Sequence, residues 1–115
     1  MLDNIFISVI IPVYNGEKYI GNCLNSILAQ DFKKPIEILM IDDASNDNSI
    51  EEIKKYNILF LNLHSLSLNR GPSAARNLGI KNAKGKYIFM MDVDDNITAD
   101  TFSILYNAAE KDDCD

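Results

Sequence analysis

Three aspartates within four residues are the most chemically distinctive feature of the sequence. Asp92, Asp94 and Asp95 directly follow a short apolar run, residues 87–91, that is typical of a strand. In extended backbone, Asp92 and Asp94 point to the same side. Two adjacent carboxylates repel each other unless a cation offsets them, and hard oxygen ligands suit Mg²⁺ or Mn²⁺. The pattern therefore predicts a metal site at Asp92 and Asp94. The motif alone leaves open a solvated turn, or a helix cap made by Asp95 or Thr98.

Polar clusters that could contact a nucleotide follow two other apolar runs. Asp42 and Asp43 come directly after the run 36–41. An aspartate there could accept a hydrogen bond from a uracil N3–H or a ribose hydroxyl, or it could complete a turn. Tyr14 and Asn15 follow the first apolar run. The Tyr14 ring could stack on a nucleobase or belong to the core.

A fourth polar cluster, Asn69-Arg70-Gly71, precedes a predicted helix that carries Arg76. Pro72 suits the first position of this helix, because the N–H that proline lacks has no partner there. Arg76 is either an ordinary surface charge or a partner for a diphosphate or a carboxylate. The residue types leave both interpretations open.

The elements that must position these side chains alternate along the chain. Strands are predicted at 6–13, 36–41, 58–63 and 87–91, and helices at 17–29, 48–55, 72–83 and 99–110. Pro12 should end the regular pairing of the first strand, because proline cannot donate to a ladder. Right-handed βα units predict one α/β domain over residues 1–115, with a Rossmann-like, doubly wound and mostly parallel sheet. All four polar clusters then lie at the carboxyl edge, where such sheets bind ligands.

Composition excludes several classes of function. With 11 Lys and Arg against 17 Asp and Glu, the 115-residue chain has a formal net charge of −6, which argues against a nucleic-acid partner. No apolar run reaches the roughly 18 residues that span a bilayer, and the N-terminus lacks the basic start of a secretion signal. The two cysteines, Cys23 and Cys114, form no CxxC pair. These features predict a cytoplasmic protein with reduced thiols.

One alternative to an enzyme stays open. A receiver-like signalling domain has a similar length and an acidic pair, but that pair should follow the first strand, whereas Asp42 and Asp43 follow the second. A dinucleotide-binding domain lacks its signature here, since no GxGxxG follows any predicted strand. A nucleotide- or metal-binding module without catalytic activity, receiver-like or otherwise, is therefore the competing hypothesis.

Taken in order, four motifs resemble the family 2 glycosyltransferases of the GT-A fold. They are SVIIPVYN at 8–15, DDASND at 42–47, NRGPSAARN at 69–77 and MDVDD at 91–95. The resemblance implies the nucleotide-binding half of that fold. It also implies inverting transfer of a sugar from a nucleotide-diphosphate donor, usually UDP-linked, to a glycan or lipid-linked acceptor, with Mg²⁺ or Mn²⁺ on the diphosphate.

The resemblance also assigns roles to individual positions. Pro12, Tyr14 and Asp43 match residues that line the nucleoside pocket. Asp92 and Asp94 match the DxD pair, with Asp94 as the direct metal ligand and Asp92 nearer the ribose or sugar. The remaining donor-site positions are Asn15, Asn69, Gly71 and Arg76.

Family domains continue through an acceptor-binding half that supplies the catalytic base. The chain is therefore expected to be the donor-binding front part of a longer enzyme, with no catalytic base of its own. Peripheral membrane association and homo-oligomers of the full protein are compatible with this expectation.

Overall fold

The structure is a computed structural model that describes residues 4–112. Strands and helices alternate in the order β1 (Ile7–Val13), α1 (Ile20–Leu28), β2 (Ile36–Asp42), α2 (Ser49–Lys54), β3 (Leu61–Ser65), α3 (Pro72–Asn82), β4 (Tyr87–Met90) and α4 (Thr101–Lys111). This alternation confirms the predicted α/β class.

The four strands form one sheet in the order β3-β2-β1-β4, and every neighbouring pair is parallel. Helices α1, α2 and α4 pack on the face that carries Val9 and Ile11 of β1. Helix α3 packs on the opposite face, against Ile10. Helices on both faces confirm the predicted doubly wound arrangement. The strand order reverses between β1 and β4, where such sheets open a crevice at their carboxyl ends.

Close packing of α3 fixes the direction in which this helix leaves the sheet. A Cβ added at Gly79 would lie 2.5 Å from Ile10 Cγ2, which is closer than real Cβ contacts, and 3.1 Å from Ile41 Cδ1, which is a tight contact. Glycine therefore permits this approach without a shift of Ile10. The other end of α3, at Pro72, points its first turn toward the carboxyl edge of the sheet.

The prediction that Pro12 ends regular pairing is wrong for β1 and β2, whereas β1 pairs with β4 only as far as Ile10. β1 continues to pair with β2 at Pro12, opposite Ile41, and through Val13. On its other side, Ile10 accepts the Met91 N–H at 3.0 Å, and Pro12, two residues later, faces the same way. Because β4 pairs no further than Ile10, the N–H that Pro12 lacks interrupts no ladder bond.

The third strand begins three residues later than predicted. The Leu61 N–H donates to the Ile58 carbonyl at 3.1 Å and closes a turn, and Leu59 is 98% exposed. Regular pairing starts only at Leu61, opposite Ile38. An apolar run does not distinguish an exposed leucine from a buried one, so the sequence alone misplaced this boundary.

Two helices also begin later than predicted, α1 at Ile20 rather than 17 and α4 at Thr101 rather than 99. Before α1, the backbone amide of Glu17 donates to a side chain of the loop after β2. The chain therefore makes a turn at 17–19, closed by the Tyr19 N–H on the Gly16 carbonyl at 2.8 Å. Tertiary hydrogen bonds thus override the helical pattern at this point.

Candidate functional site

A cleft of about 440 Å³ opens at the carboxyl edge of the sheet, and we call it the β1–β4 cleft. Every residue predicted to bind a nucleotide or a metal lines it: Pro12, Tyr14, Asn15, Asp43, Asn69, Gly71, Arg76, Asp92 and Asp94. The lining also includes residues that were not predicted: Val13, Gly16, Tyr19, Pro72 and Val93. These are apolar, aromatic or glycine residues, whose types carry no chemical signal in a sequence.

The acidic end of the cleft is a turn rather than an extended strand. β4 ends at Met90, and the Asp95 N–H donates to the Asp92 carbonyl at 3.0 Å. Carboxylate oxygens of Asp92, Asp94 and Asp95 lie within 4.8 Å of one another, and all three residues are exposed. The predicted proximity of Asp92 and Asp94 is therefore present, but the extended backbone given as its cause is wrong. The turn also adds Asp95, which was not predicted as a ligand.

The helix-cap interpretation of this segment is wrong. Asp100 occupies the N-cap position of α4, and its side chain makes no capping hydrogen bond; Gln30 Oε1 accepts the first-turn N–H of Phe102 at 2.9 Å. Thr98 Oγ1 instead donates to Asp100 Oδ1 at 2.8 Å, and Asp95 Oδ2 accepts the Asp92 N–H at 2.9 Å. Exposed, clustered carboxylate oxygens are the donor set that suits a hard divalent cation.

Arg76 connects α3 to the acidic turn. Its Nη2 lies 3.5 Å from Asp92 Oδ1, and both side chains are exposed to solvent. The described lining contains three carboxylates, those of Asp43, Asp92 and Asp94, and one cationic side chain, that of Arg76. The lining therefore carries net negative charge, which a bound cation would offset.

Asp43 lies at the buried end of the cleft and holds the loop before α3. Its side chain is 2% exposed, and its two oxygens accept the N–H groups of Arg70 at 2.7 Å and Gly71 at 2.8 Å. Asn69 Nδ2 donates to the Asp43 carbonyl at 3.2 Å. Each carboxylate oxygen retains a further lone pair for a ligand. The predicted local turn is made by Asp42, whose Oδ2 accepts the Ser45 N–H at 3.0 Å, whereas the bonds of Asp43 are long-range.

Tyr14 belongs to the cleft and not to the core, because its side chain is 48% exposed. The next residue, Asn15, has a φ of +50°, a left-handed conformation that asparagine tolerates better than most residues. Its side-chain Oδ1 accepts the Asn46 N–H at 2.8 Å. That oxygen is thus engaged with the neighbouring loop.

The loop after β1 cannot hold phosphate oxygens through its amides as it stands. Its three consecutive N–H groups each donate to a side-chain oxygen of the segment after β2: Asn15 to Ser45 Oγ (2.9 Å), Gly16 to Ser49 Oγ (2.9 Å) and Glu17 to Asp47 Oδ2 (3.2 Å). Consecutive free amides after a first strand are a common phosphate cradle. In this structure the three amides of this loop are occupied by protein acceptors.

Cysteine chemistry is disfavoured at the one cysteine that lies within residues 4–112. Cys23 is buried in α1. Burial raises the pKa of its thiol to about 12, and the charges of Asp95 and Asp94 add to this effect. The thiolate needed for nucleophilic attack is therefore absent at neutral pH. Cys114, also predicted to be reduced, lies outside the described residues.

Among residues 4–112, none of the helices combines the length and the apolar character that crossing a membrane would require.

The chain belongs to glycosyl transferase family 2. The family model, described as "Glycosyl transferase family 2", matches residues 8–115. Poly(ribitol-phosphate) beta-N-acetylglucosaminyltransferase TarS of Staphylococcus aureus is 42% identical over 97 residues, which is 82% of this chain and 17% of that protein. An uncharacterized glycosyltransferase of Haemophilus influenzae is 44% identical over 98 residues, 82% of this chain and 38% of that protein. The chain spans less than half of the length of these relatives.

Solved structures agree with this assignment. The crystal structure of S. aureus TarS 1-349 in complex with UDP has a TM-score of 0.87 at 37% identity, over 93% of this chain and 32% of that chain. The mannosyltransferase PcManGT from Pyrobaculum calidifontis, in complex with GDP-Man and Mn²⁺, has a TM-score of 0.81 at 27% identity, over 93% and 32% of the two chains. The predicted resemblance and fold are both confirmed.

Proposed function

We propose that this chain is the donor-binding part of an inverting glycosyltransferase that uses a nucleotide-diphospho-sugar and a divalent cation. One observation carries the proposal: the segments after all four strands meet at the β1–β4 cleft, with an acidic turn at one end. A receiver-like module needs its acidic pair after the first strand, whereas the exposed acidic cluster here follows β4.

The nucleoside is assigned to the end of the cleft near β1 and β2. Tyr14 presents a half-exposed ring for stacking on the base. Asp43 offers acceptor lone pairs, and Asn69 lies beside it. We favour uridine diphosphate as the carrier, because TarS, of which one structure contains UDP, is more similar to this chain than the mannosyltransferase that contains GDP-Man.

The diphosphate and the cation are assigned to the other end. Asp94 would hold the cation directly, and Asp92 and Asp95 lie within reach of it. When bound, Mg²⁺ or Mn²⁺ supplies positive charge that stabilises a departing diphosphate. Arg76 lies one turn into α3, whose N-terminal Gly71 and Pro72 line the cleft. The guanidinium and the positive end of the helix dipole favour the same negative charge.

Transfer needs a base that this cleft does not provide. In the proposed reaction, the acceptor hydroxyl loses its proton to a base while its oxygen bonds to the anomeric carbon and the bond to the diphosphate breaks. Among the described lining residues, Asp43 binds two amides, and Asp92 and Asp94 are assigned to the donor. We therefore place the base outside residues 4–112. A glycan or lipid-linked acceptor completes the proposal, in keeping with the poly(ribitol-phosphate) named for TarS.

A binding titration of the 115-residue chain tests this function. UDP, GDP and acetyl phosphate would each be titrated by calorimetry, with and without Mn²⁺. We expect Mn²⁺-dependent binding of UDP, weaker binding of GDP and no response to acetyl phosphate. A response to acetyl phosphate but none to either nucleotide would favour the receiver-like alternative.

An activity assay tests the assignment of the base. We expect the 115-residue chain to bind UDP-sugars but not to transfer sugar to any acceptor, because the cleft lacks a free base. The measurement is radiolabelled transfer to glycan and lipid-linked acceptors. Transfer at rates typical of enzymes, about 1 per second or faster, would show that a base is present in this chain.

A further inference from the structure

The loops beside the β1–β4 cleft are joined by hydrogen bonds that run in both directions. We call residues 14–19 the first loop and residues 43–49 the second loop. Besides the three amides that the first loop donates, Asn15 Oδ1 accepts the Asn46 N–H at 2.8 Å, and Glu17 Oε1 accepts the Asn48 N–H at 3.2 Å. Each loop therefore supplies both donors and acceptors to the other.

Aspartates fix the direction of the two serine hydroxyls in this arrangement. Ser45 Oγ donates to Asp42 Oδ1 at 2.6 Å, and Ser49 Oγ donates to Asp47 Oδ1 at 2.5 Å. A hydroxyl has one proton, so donation to a carboxylate leaves its lone pairs for the incoming amide. This pairing of an aspartate with a serine occurs twice, at Asp42 with Ser45 and at Asp47 with Ser49. It therefore orients the acceptors of two successive amides of the first loop.

The loops need this support because each contains a residue in the left-handed region. Asn15 has a φ of +50° and Ala44 a φ of +58°. For residues with a Cβ, this conformation costs about 1–2 kcal/mol and persists only where surrounding contacts impose it. Tyr14 directly precedes Asn15, and so this turn positions the Tyr14 backbone at the cleft that Tyr14 lines.

We propose that Ser45 and Ser49, oriented by Asp42 and Asp47, are positioning residues for the nucleotide donor. They hold the first loop in the conformation that directs Tyr14 along the wall of the β1–β4 cleft. None of the four is assigned a contact with the donor. This inference rests on the proposed function, because it takes the cleft as the donor site.

Ser45→Ala in the 115-residue chain is the main test. Ser45→Thr, which keeps the hydroxyl at this half-buried position, is the conservative variant. Ser26→Ala is the matched control, because Ser26 Oγ donates to the Cys23 carbonyl inside α1. The measurements are the Kd of UDP at saturating Mn²⁺, well below the unfolding temperature, and amide hydrogen exchange of the first loop in the free protein.

We expect Ser45→Ala to weaken UDP binding by about 3- to 10-fold, the worth of one or two hydrogen bonds. Hydrogen exchange should become faster at Asn15, Gly16 and Glu17 together, because the bonds support one another. Ser45→Thr should restore both values, and Ser26→Ala should change neither. Ser49→Ala provides an independent second variant with the same expectations.

If Ser45→Ala bound UDP with the same Kd as the wild type, the inference would be overturned. Faster exchange confined to Asn15 would also overturn it, because that result describes one local bond rather than a shared support. Absence of nucleotide binding in the wild type would instead contradict the proposed function, while the exchange data would still test the support between the loops.

Discussion

The two ends of the β1–β4 cleft differ in how far the fold completes them. At the end near β1 and β2, where we propose that the nucleoside binds, Asp43 is 2% exposed and both of its oxygens accept backbone amides. At the acidic end, Asp92, Asp94 and Asp95 are exposed, and the ion pair with Arg76 is 3.5 Å long. One end is organised before any ligand arrives. The other holds like charges together, and a bound cation would offset their repulsion.

This difference follows from position in the sheet. β1 and β2 are central neighbours, so the loops that follow them lie side by side and can exchange hydrogen bonds. β4 is an edge strand of the described residues, with β1 on one side only. The acidic side chains of the turn after it are exposed to solvent. Rigid positioning at one end and ligand-dependent completion at the other suit recognition of a base and binding of a metal diphosphate, respectively.

The largest expected effect is at Asp43. In Asp43→Asn, an amide NH₂ would face the N–H of Arg70 or Gly71, and a buried donor would lose its acceptor. We expect the free energy of unfolding to fall by about 1–3 kcal/mol. UDP binding should weaken with and without Mn²⁺. Urea denaturation and calorimetry measure the two effects, with exposed Asp112→Asn as control. An unchanged unfolding free energy would contradict the organised character of this end.

Asp94→Asn should give the opposite pattern. It removes one negative charge from the acidic turn, so the metal-free protein should become slightly more stable. Mn²⁺-dependent binding of UDP should weaken by about 10-fold or more, equivalent to roughly 1.4 kcal/mol. Thermal unfolding and calorimetry with and without Mn²⁺ measure both changes, again beside Asp112→Asn. If Asp94→Asn and Asp43→Asn both behaved like the wild type, the contrast between the two ends would have no energetic meaning.

A smaller effect is expected at Ala44, where the second loop adopts a left-handed φ of +58°. Ala44→Gly removes the clash of the Cβ, although the unfolded chain gains entropy. We expect a net gain in unfolding free energy of about 0.5–1 kcal/mol. The control is Ala74→Gly in α3, where ordinary helical backbone should make glycine destabilising by about 1 kcal/mol. If glycine lowered the free energy of unfolding at both positions, Ala44 would be unstrained.

The smallest expected effect concerns the pKa of Asp47 and the pH dependence of stability that follows from it. Burial raises the pKa of this carboxyl, but hydrogen bonds from the Ser49 hydroxyl and from the backbone of Glu17 and Ser49 outweigh it and hold the pKa below the ordinary 3.8. A lowered pKa in the folded state means that the contribution to stability is present above the ordinary value. It is lost as the pH falls through the lowered value.

Carbon-detected NMR titration of the Asp47 carboxyl checks this expectation, with the amide shift of Gly16 as a second probe. Asp47→Asn should lack the inflection. Titration of the wild-type carboxyl at or above 3.8 would mean that the hydrogen bonds between the loops are weaker in solution than in the structure.

The sequence was sufficient for the architecture, because buried strands and amphipathic helices have different periods. It was also sufficient to bring Asp43, Arg76 and Asp94 to one cleft, since carboxyl ends of parallel strands share an edge. The sequence did not predict that Leu59 lies outside the third strand, because the exposure of a leucine depends on tertiary packing. It also gave the wrong backbone for the acidic segment, because an extended strand and a turn both place aspartates together.

The hydrogen bonds between the first and second loops could not be predicted. Ser45 and Asn15 are 30 residues apart, and serine, asparagine and aspartate are common in any loop. Only the parallel pairing of β1 with β2, in its actual register, brings their loops together. Long-range polar contacts of this kind depend on the register, which the composition of a loop does not encode.

Pro12 bears on how the chain selects its sheet during folding. Its imide nitrogen faces the side of β1 on which β4 pairs no further than Ile10. A residue with an N–H there, such as valine, could donate one more hydrogen bond to the segment after β4. Pairing of the two strands could then extend toward the acidic turn. Lengthened pairing would draw Asp92 toward β1 and narrow the crevice. Proline disfavours that competing arrangement, because it has no N–H to donate. The missing donor therefore helps to keep the crevice between β1 and β4 open.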